Sequence, residues 1–375
     1  MRVKMKQKYD IAAYIWPAYT GDEPRNHIFW EKGIGEWQSV MIAEKKFPEH
    51  TWPRIPLWGY VNEADPYVME MEIEAALSHG VNVFIYDWYW YDRRPFLEQC
   101  LNNGFLRARN NRKMKFYITW ANHNASSFWN RQLTHEEEHM IWDGKVDRKE
   151  FDIIVNRIID NYFSCENYYK INDCPVFNIH FLQNLIKGLG GIDETADAFQ
   201  YFRKKTKDAG FPDLHLQLNL IGCTKDYMGF NLFCDVDMKE VFEKIRFDSA
   251  THYQFLAFTD MNRDYSAVIP DAVKEWEDEI KNLKFPYFPQ VSVGWDNNPR
   301  ANSRRFMPTI CTNNTPENFK KALIEARNFI DRHHLHPLIT INSWNEWTET
   351  SYLQPDNVFG YGYLEAVKST FKEEA

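Results

Sequence analysis

Residues 341–353, INSWNEWTETSYL, place two glutamates and two tryptophans at the end of a strongly apolar run. Glu346 and Glu349 are three residues apart, so a helical turn or a tight loop puts both carboxyls on one side, where Trp344 and Trp347 could shield them from water. Two such carboxyls can split their pKa values, so that one acts as a base and the other as an acid, as glycosidic bond cleavage requires. The simpler interpretation is a solvated loop charge at Glu349 beside tryptophans that only fill the fold.

Eight apolar runs rich in β-branched and aromatic residues must position these groups, and most are separated by amphipathic helical patterns. The runs begin at Tyr9, Val81, Met114, Cys174, Leu214, Phe247, Phe285 and His336. Helices are predicted at 65–79, 149–162, 193–208, 238–245, 271–283 and 316–333. Runs apolar enough for burial on both faces favour an α/β fold, a closed (β/α)8 TIM barrel, over a doubly wound open sheet. No composition break divides the chain, so residues 1–375 are predicted to form a single barrel domain.

The residues at the ends of these runs are candidates for ligand contact, because barrel active sites lie at the carboxyl ends of the strands. Tyr89 and Asn219 end runs, and the predicted binding residues are Trp16, Asp87, Trp88, Trp90, Trp120, Asn122, His123, His180, His252, Tyr253, Trp295, Asp296, Trp344 and Asn345. Any one of them could be an ordinary core or loop residue. Together they predict a polar pocket with stacking walls, which is typical of a saccharide site.

The composition favours a carbohydrate ligand over other partners. Aromatic residues make up 16% of the chain, more than an aliphatic core requires, so many rings are expected to be partly exposed. A net charge of -9 without a long Lys/Arg block argues against nucleic acid and anionic membranes. The six scattered cysteines lack a C-x-x-C pair and are expected to be buried thiols.

No apolar window reaches the length of a membrane span, and no apolar stretch follows the basic N-terminal segment MRVKMKQKYD. As written, the chain is therefore expected to be soluble and cytoplasmic. If a signal sequence has been removed, a periplasmic or secreted location is expected instead.

Two short motifs point to other chemistry and are weak. HEEEH at 135–139 fits the H-E-x-x-H pattern of zinc peptidases but lacks a third ligand, so a charged surface turn is the better interpretation. DVD at 235–237 is the only near match to the D-x-D motif of nucleotide-sugar transferases, and a loop or helix cap is its simpler role.

Several segments resemble the glycoside hydrolase family 99-like group, which includes WbsX-type proteins often labelled as polysaccharide-biosynthesis glycosyltransferases. These segments are AAYIWPAYTGDEP near the start, FWEKGIGEW at 29–37, FPEHTWPRIPLWGY at 47–60, ITWANHN at 118–124, and PLITINSWNEWTETSYLQPD through GYGYLEA. The last is the most specific. In family 99 its W-N-E-W-x-E pattern carries the two catalytic glutamates of a retaining α-mannosidase built on a (β/α)8 barrel.

The resemblance implies a retaining glycoside hydrolase that cleaves an α-linked sugar, with an α-mannoside as one candidate, in a glycan or bacterial polysaccharide. The substrate's own 2-hydroxyl would attack the anomeric carbon to give a 1,2-anhydro sugar, with Glu346 as its base and Glu349 as acid and then base. Glu36 and Trp37 of GIGEW are assigned to sugar contact, although an ion pair or a helix cap explains Glu36 equally well. Thr350 replaces the usual Gly after the second glutamate, which puts the local backbone shape in question.

The resemblance implies no metal or organic cofactor, and the expected partner is an oligo- or polysaccharide. Two other functions stay open: a WbsX-type polysaccharide-biosynthesis glycosyltransferase, and a non-catalytic glycan-binding barrel. The chain has no Gly-rich phosphate loop, which disfavours the transferase, and the intact Glu346 and Glu349 disfavour the binding protein.

Overall fold

Eight parallel strands form the wall of a barrel, in the order that the apolar runs predict. The computed structural model describes residues 8–130, 139–225, 233, 236–301 and 305–372. The strands are β1 Asp10–Ile15, β2 Val83–Tyr91, β3 Lys115–Trp120, β4 Cys174–Ile179, β5 His215–Asn219, β6 Ser249–Thr251, β7 Gln290–Ser292 and β8 Leu338–Asn342. Their side chains are almost entirely buried, as expected for strands covered on both faces.

The strands pair in parallel in the order β6-β5-β4-β3-β2-β1-β8-β7. In this register Ala12 of β1 is paired with Val83 of β2 on one side and with Thr340 of β8 on the other. The last gap, between β6 and β7, is closed by a parallel bridge at Ala250, which exchanges 2.8 Å hydrogen bonds with the main chain of Pro286 and Phe288. The sheet is therefore a closed barrel, and the predicted (β/α)8 fold is confirmed.

Nine α-helices occur within the described ranges and surround this wall. They are α1 Trp37–Met41, α2 Pro66–His79, α3 Arg148–Ile158, α4 Leu182–Leu189, α5 Ile192–Asp208, α6 Met238–Ile245, α7 Tyr265–Asn282, α8 Pro316–His333 and α9 Gly362–Phe371. Helix α2 begins where predicted, because the Asp65 side chain accepts a hydrogen bond from the Tyr67 amide, and it ends at Gly80 with φ 96°. Asp237 caps α6 in the same way, the role expected for the end of the DVD motif.

Some elements depart from the predicted helices or from a regular alternation of strand and α-helix. Helix α7 begins at Tyr265, six residues before the predicted start at 271, because Asp264 provides the cap and Pro270 is accommodated inside the helix. Between β2 and β3 the chain crosses by a π-helical turn, Cys100–Gly104, and a 3₁₀ turn, Phe105–Arg107, rather than by a regular α-helix.

The loops at the carboxyl ends of the strands have an aromatic core of their own. It includes Trp16, Trp30, Tyr89, Trp129 and Trp347, all of them buried. Trp16 lies 5.5 Å from Tyr89 and 5.2 Å from Trp129 between ring centroids, in edge-to-face contacts. These loops are thereby held in place over the barrel mouth, where the predicted site residues lie.

Residues 135–138 of the HEEEH motif and Asp235 of the DVD motif lie outside the described residues. Of the helices within the described ranges, none combines the length and the apolar character that crossing a membrane demands.

Candidate active site

A cavity of about 350 Å³ opens at the carboxyl ends of the strands. This volume is within the range of small-molecule sites. The cavity is lined by several of the predicted residues: Trp16, Asp87, His123, His180, Tyr253, Trp295, Glu346 and Glu349. The fold therefore brings together three carboxyls, two imidazoles and three aromatic rings that were predicted from their positions at strand ends, although their roles stay predictions.

Arg300 joins three glutamates at the side of this cavity. Its Nη2 atom lies 2.6 Å from Glu346 Oε1, its Nη1 atom 2.7 Å from Glu349 Oε1, and its Nε atom 3.0 Å from Glu36 Oε1. All four side chains are buried. A guanidinium presents its donors in a rigid planar fork, so these ion pairs fix the carboxylates relative to one another.

Asp296 builds the turn that presents this arginine. Its Oδ1 atom accepts hydrogen bonds from the Asn298 main-chain amide at 2.9 Å and from Asn298 Nδ2 at 2.7 Å, which stabilises the 3₁₀ turn Asn298–Arg300. The other carboxylate oxygen lies 2.6 Å from His50 Nε2. The Asp296 amide donates to the Glu349 carbonyl at 2.8 Å, so this residue, predicted as a sugar contact, connects the arginine turn to the glutamate loop.

The two glutamates lie on a short loop after β8. The Glu346 amide donates to Ser343 Oγ at 2.7 Å, and the 3₁₀ turn Trp347–Glu349 brings the second carboxyl to the same side. Thr350 then takes a left-handed conformation, φ 55°, where Gly is favoured. Its hydroxyl donates to the Asp296 carbonyl at 3.0 Å and accepts from Trp52 Nε1 at 2.9 Å. These two hydrogen bonds show how the loop accommodates a residue other than Gly.

The pKa values of two carboxyls of the cavity are strongly perturbed by their surroundings. Burial raises the pKa of Glu346 well above its usual value, the charge of Glu349 raises this pKa further, and Arg300 opposes both effects. Burial likewise raises the pKa of Asp87. The Tyr253 hydroxyl lies between them, 3.3 Å from Asp87 Oδ2 and 3.4 Å from Glu346 Oε2.

The two histidines of the cavity are neutral at physiological pH. Burial lowers the pKa of His123 and lowers that of His180 well below the usual value. His180 Nδ1 lies 3.1 Å from Asn219 Nδ2, so Nδ1 accepts this hydrogen bond and Nε2 carries the proton. His180 therefore offers a donor, not a charge, to a ligand.

Several predicted residues point away from the cavity, because successive side chains of a strand alternate between its two faces. Asp87 and Tyr89 of β2 line the cavity, whereas Trp88 and Trp90 form hydrogen bonds with Glu98 and Glu150. The outward residues, with their contacts, are Trp88 to Glu98, Trp90 to Glu150, Trp120 to Phe151 of α3, Trp344 to Glu72 of α2 and His252 to Tyr287. The structure places these five beside the outer shell of the barrel.

Four further predicted residues brace the loops from behind. Glu36 accepts hydrogen bonds from Trp16 Nε1 at 2.6 Å and from Thr348 Oγ1 at 3.0 Å, and it forms an ion pair with Arg300. Its contacts are therefore those of the ion pair considered above as an alternative to sugar contact. Trp37 donates to the Val61 carbonyl. The Asn122 side chain both donates to and accepts from the main chain of Phe181. The Asn345 side chain does the same with the main chain of Trp16.

Other residues of the cavity were not selected from the sequence. They are Ala121, Asn124, Ser126, Phe128, Trp129, Phe181, Ile221, Gln254, Asn297 and Arg300, and Tyr89, identified above only as a run end, lines the cavity as well. Arg300 could have been suspected from its position just after the β7 run. Trp129 lies deep in a loop, where no periodicity points to it.

A closed (β/α)8 barrel with buried carboxyls around a cavity at its strand carboxyl ends has the TIM-barrel architecture. Within that class the chain belongs to the WbsX family, since the sequence model described as "Glycosyltransferase WbsX" matches residues 11–367.

Two curated relatives are each named "Uncharacterized protein WxcX" and come from two strains of Xanthomonas campestris pv. campestris. Each is 23% identical over 366 residues, which cover 92% of this chain and 47% of the relative. The chain thus spans about half the length of the curated relatives it matches.

Three solved structures share the fold. A "Glycoside hydrolase-like protein" has a TM-score of 0.62 at 14% identity, covering 99% of this chain and 96% of its own. The GH99 endo-alpha-mannosidase from Bacteroides thetaiotaomicron has a TM-score of 0.58 at 12% identity, with coverage of 96% and 95%. A beta-glucosidase from Thermotoga maritima has a TM-score of 0.50 at 12% identity, with coverage of 99% and 100%.

Proposed function

We propose that this protein is a retaining glycoside hydrolase that cleaves an α-linked sugar with a free 2-hydroxyl, an α-mannoside first among candidates, in a glycan or bacterial polysaccharide. One observation carries the proposal: Glu346 and Glu349 bind the two terminal nitrogens of one guanidinium at the wall of a cavity lined with aromatic rings. Paired buried carboxyls are the groups that glycoside hydrolysis uses.

In the first step of the proposed mechanism, Glu346 takes the proton of the 2-hydroxyl as that oxygen attacks the anomeric carbon. The glycosidic bond breaks, and Glu349 gives its proton to the leaving oxygen. In the second step water attacks the anomeric carbon of the 1,2-anhydro sugar and loses a proton to Glu349. The bond between the anomeric carbon and the epoxide oxygen breaks, and this oxygen recovers its proton from Glu346 to restore the 2-hydroxyl, so both glutamates return to their starting states.

The surroundings of Glu346 suit the role of base. The raised pKa makes its carboxylate a stronger proton acceptor than an ordinary glutamate, while Arg300 keeps the ionised form accessible. The Tyr253 hydroxyl lies 3.4 Å from Glu346 Oε2 and limits the rotation of that carboxyl. A fixed base close to a bound hydroxyl reduces the entropy cost of the first step.

The walls of the cavity suit a sugar ring. Trp16, Trp129, Phe128 and Trp295 offer flat apolar faces, and Asn297 offers an amide for hydroxyl groups. Neutral His180 adds a donor. This pairing of stacking surfaces with neutral polar groups supports a saccharide ligand.

The test compares Glu346→Gln and Glu349→Gln with the wild type on α-linked mannans and bacterial polysaccharides, with released reducing ends as the readout. Each substitution removes an acid or base without changing the size of the side chain, so we expect turnover to fall at least about 100-fold. Glu74→Gln, an exposed glutamate on α2, is the matched control and should keep wild-type turnover. Near wild-type activity in both active-site variants, with folding intact, would rule out the assigned roles.

The description of the family favours a second candidate, a glycosyltransferase of polysaccharide biosynthesis. This candidate predicts that the protein binds a nucleotide sugar and extends a glycan acceptor without releasing reducing ends. Calorimetric titration with nucleotide sugars separates the two functions. Binding of a nucleotide sugar together with silence in the reducing-end assay would support the transferase, and glycan binding without either activity would support a non-catalytic barrel.

A further inference from the structure

A buried group of one histidine and two glutamates lies on the outer side of the barrel, behind Tyr253. His252 directly follows β6, and Glu275 and Glu279 are one turn apart on α7. One nitrogen or oxygen atom of each residue lies within 4.8 Å of the others, and all three side chains are at most 2% exposed. This spacing on one helix face beside an imidazole is typical of metal ligands.

The charges of this group are incompletely balanced. Glu275 pairs with Lys225, whose side chain is half-exposed, and this ammonium provides one positive charge for two buried carboxylates. Glu279 Oε1 accepts a hydrogen bond from Thr224 Oγ1 at 2.5 Å, but its Oε2 atom is buried without a hydrogen-bond partner among the residues that the structure describes. A carboxylate oxygen at such a depth needs a proton or a cation. Burial, together with the neighbouring Glu275 carboxyl, raises the pKa of Glu279 to about 7, so a proton held between the two carboxyls meets this need until a cation displaces it.

The histidine has the arrangement of a metal ligand. His252 Nδ1 lies 2.8 Å from the hydroxyl of Tyr287, which is fully buried. When Nδ1–H donates to this hydroxyl, the ring tautomer is fixed with a lone pair on Nε2, as outer partners of metal-bound histidines do. Burial lowers the pKa of His252 to about 3, so the imidazole is in the neutral form that binds metals.

We propose that His252, Glu275 and Glu279 bind one divalent transition-metal cation, with Zn²⁺ as the best match to one imidazole and two carboxylates. Zn²⁺ binds nitrogen and carboxylate oxygen at about 2.0–2.2 Å, so the three ligand atoms, which lie within 4.8 Å of one another, must close in around the cation. Lys225 would turn into solvent as the cation enters, which its half-exposed side chain permits. The cation would balance both carboxylates and link β6 to α7.

This site is separate from the sugar cavity, and the inference does not rest on the proposed function. Because His252 and Tyr253 are neighbours that face opposite sides of the barrel wall, a cation on the outside would also hold the backbone that presents Tyr253 inside.

The test uses the full chain, freed of metal with a chelator and then titrated with Zn²⁺ alone, with Mg²⁺ in a parallel titration. We expect one Zn²⁺ per chain at this site, a rise in Tm with Zn²⁺ and none with Mg²⁺, because an imidazole ligand favours the transition metal. Glu279→Gln should weaken Zn²⁺ binding at least about 100-fold, since it removes a ligand rather than an outer partner. Asp278→Asn, at a half-exposed neighbour on the same helix, is the matched control and should bind Zn²⁺ as the wild type does.

Two results would overturn the proposal: a wild type that binds no Zn²⁺, or a Glu279→Gln variant that keeps wild-type affinity. The second result would place any bound zinc elsewhere in the chain, for example at HEEEH. If Glu279→Gln does not fold, Glu275→Gln provides the same comparison, with folding checked by circular dichroism.

Discussion

At the scale of single residues, Arg300 is the group on which the candidate site depends most. It contacts Glu36, Glu346 and Glu349 through three different nitrogens in a buried environment. Removing one partner of a buried ion pair costs roughly 3–5 kcal/mol, since the remaining charges lose their compensation. Arg300 also opposes the rise in the pKa of Glu346, so its loss would alter protonation as well as position.

The pH profile of kcat/KM tests this role. In the proposed mechanism Glu346 must be ionised, so wild-type activity should fall as pH drops through an apparent pKa above the ordinary 4.5. Arg300→Gln removes the cation that favours the ionised form, so this acid limb should move to higher pH by about one unit or more. Arg300→Lys keeps a positive charge and should shift it less.

Arg112→Gln, at a highly exposed position, is the control and should leave the profile unchanged. An acid limb that stays in place in a folded Arg300→Gln protein would contradict the electrostatic role assigned to Arg300.

At the scale of elements, the loop after β8 depends on Thr350. A β-branched residue with φ near 55° is strained by roughly 1–2 kcal/mol, and the hydrogen bonds to Trp52 and Asp296 offset this strain. Thr350 thereby joins the glutamate loop to the residue that builds the arginine turn.

Thr350→Gly should relieve the strain but leave the buried Trp52 Nε1 without its acceptor, with a net loss of about 1 kcal/mol in the free energy of unfolding. Thr350→Ser retains the oxygen and should stay within about 0.5 kcal/mol of the wild type. Urea unfolding of the three proteins provides the comparison. A Gly variant more stable than the wild type would show that the strain outweighs the hydrogen bonds.

Helix α2 supports the same loop through a pair of buried carboxyls. Glu72 accepts a hydrogen bond from Trp344 Nε1 at 2.8 Å, and Glu63, just before the helix, accepts one from Asn345 Nδ2 at 2.8 Å. Burial raises the pKa of Glu72 to about 7 and raises that of Glu63 well above its usual value. Trp344 and Asn345, the two residues that precede Glu346, are thus held by carboxyls that resist ionisation.

In the folded protein the pKa of Glu72 lies above the ordinary 4.5. The contribution of Glu72 to the free energy of unfolding is therefore complete below pH 4.5 and is lost as pH rises to about 7. Glu72→Gln cannot ionise, keeps an oxygen for Trp344, and should reduce this loss by roughly 1–3 kcal/mol. Denaturant unfolding from pH 4.5 to 8 measures this loss of stability in both proteins, with Glu74→Gln on the same helix as control. Parallel stability curves for Glu72→Gln and the wild type would contradict the prediction.

Local patterns predicted the elements well and the facing of side chains less well. The apolar runs located all eight strands, and cap residues such as Asp65 located helix starts. The strand-end rule identifies the rim but does not distinguish its two sides, so Trp88 and Trp90 were grouped with Asp87 although alternation turns them outward. Arg300 was missed because its partners are separated from it by 264, 46 and 49 residues, and no local pattern reports such contacts.

At the scale of the whole molecule, one barrel core connects the strands and helices within the described ranges. The apolar interior runs from β1 through β8 without a break, and the aromatic loop cluster packs on its carboxyl end. A continuous core is what a single domain requires, and the single domain predicted over 1–375 stays a prediction. The long loops that build the cluster have no periodicity, which is why their arrangement could not be predicted from the sequence.

A single domain should unfold as one cooperative unit. Scanning calorimetry of the chain should therefore show one heat-absorption peak, with a calorimetric enthalpy close to the van't Hoff value. Two resolved peaks would show that part of the chain unfolds separately from the barrel.

The cluster around Arg300 also governs which ligands the cavity can admit. Three carboxyls surround one guanidinium, and Asp87 lies close by, so negative charge exceeds positive charge as long as at least two of these four carboxyls are ionised. In a buried site this excess repels anions and attracts cations. If the cavity binds a sugar as proposed, we expect sugars that carry a carboxylate or a sulfate to be disfavoured near the glutamates, and a sugar mimic with a protonated ring nitrogen to match the field of the site.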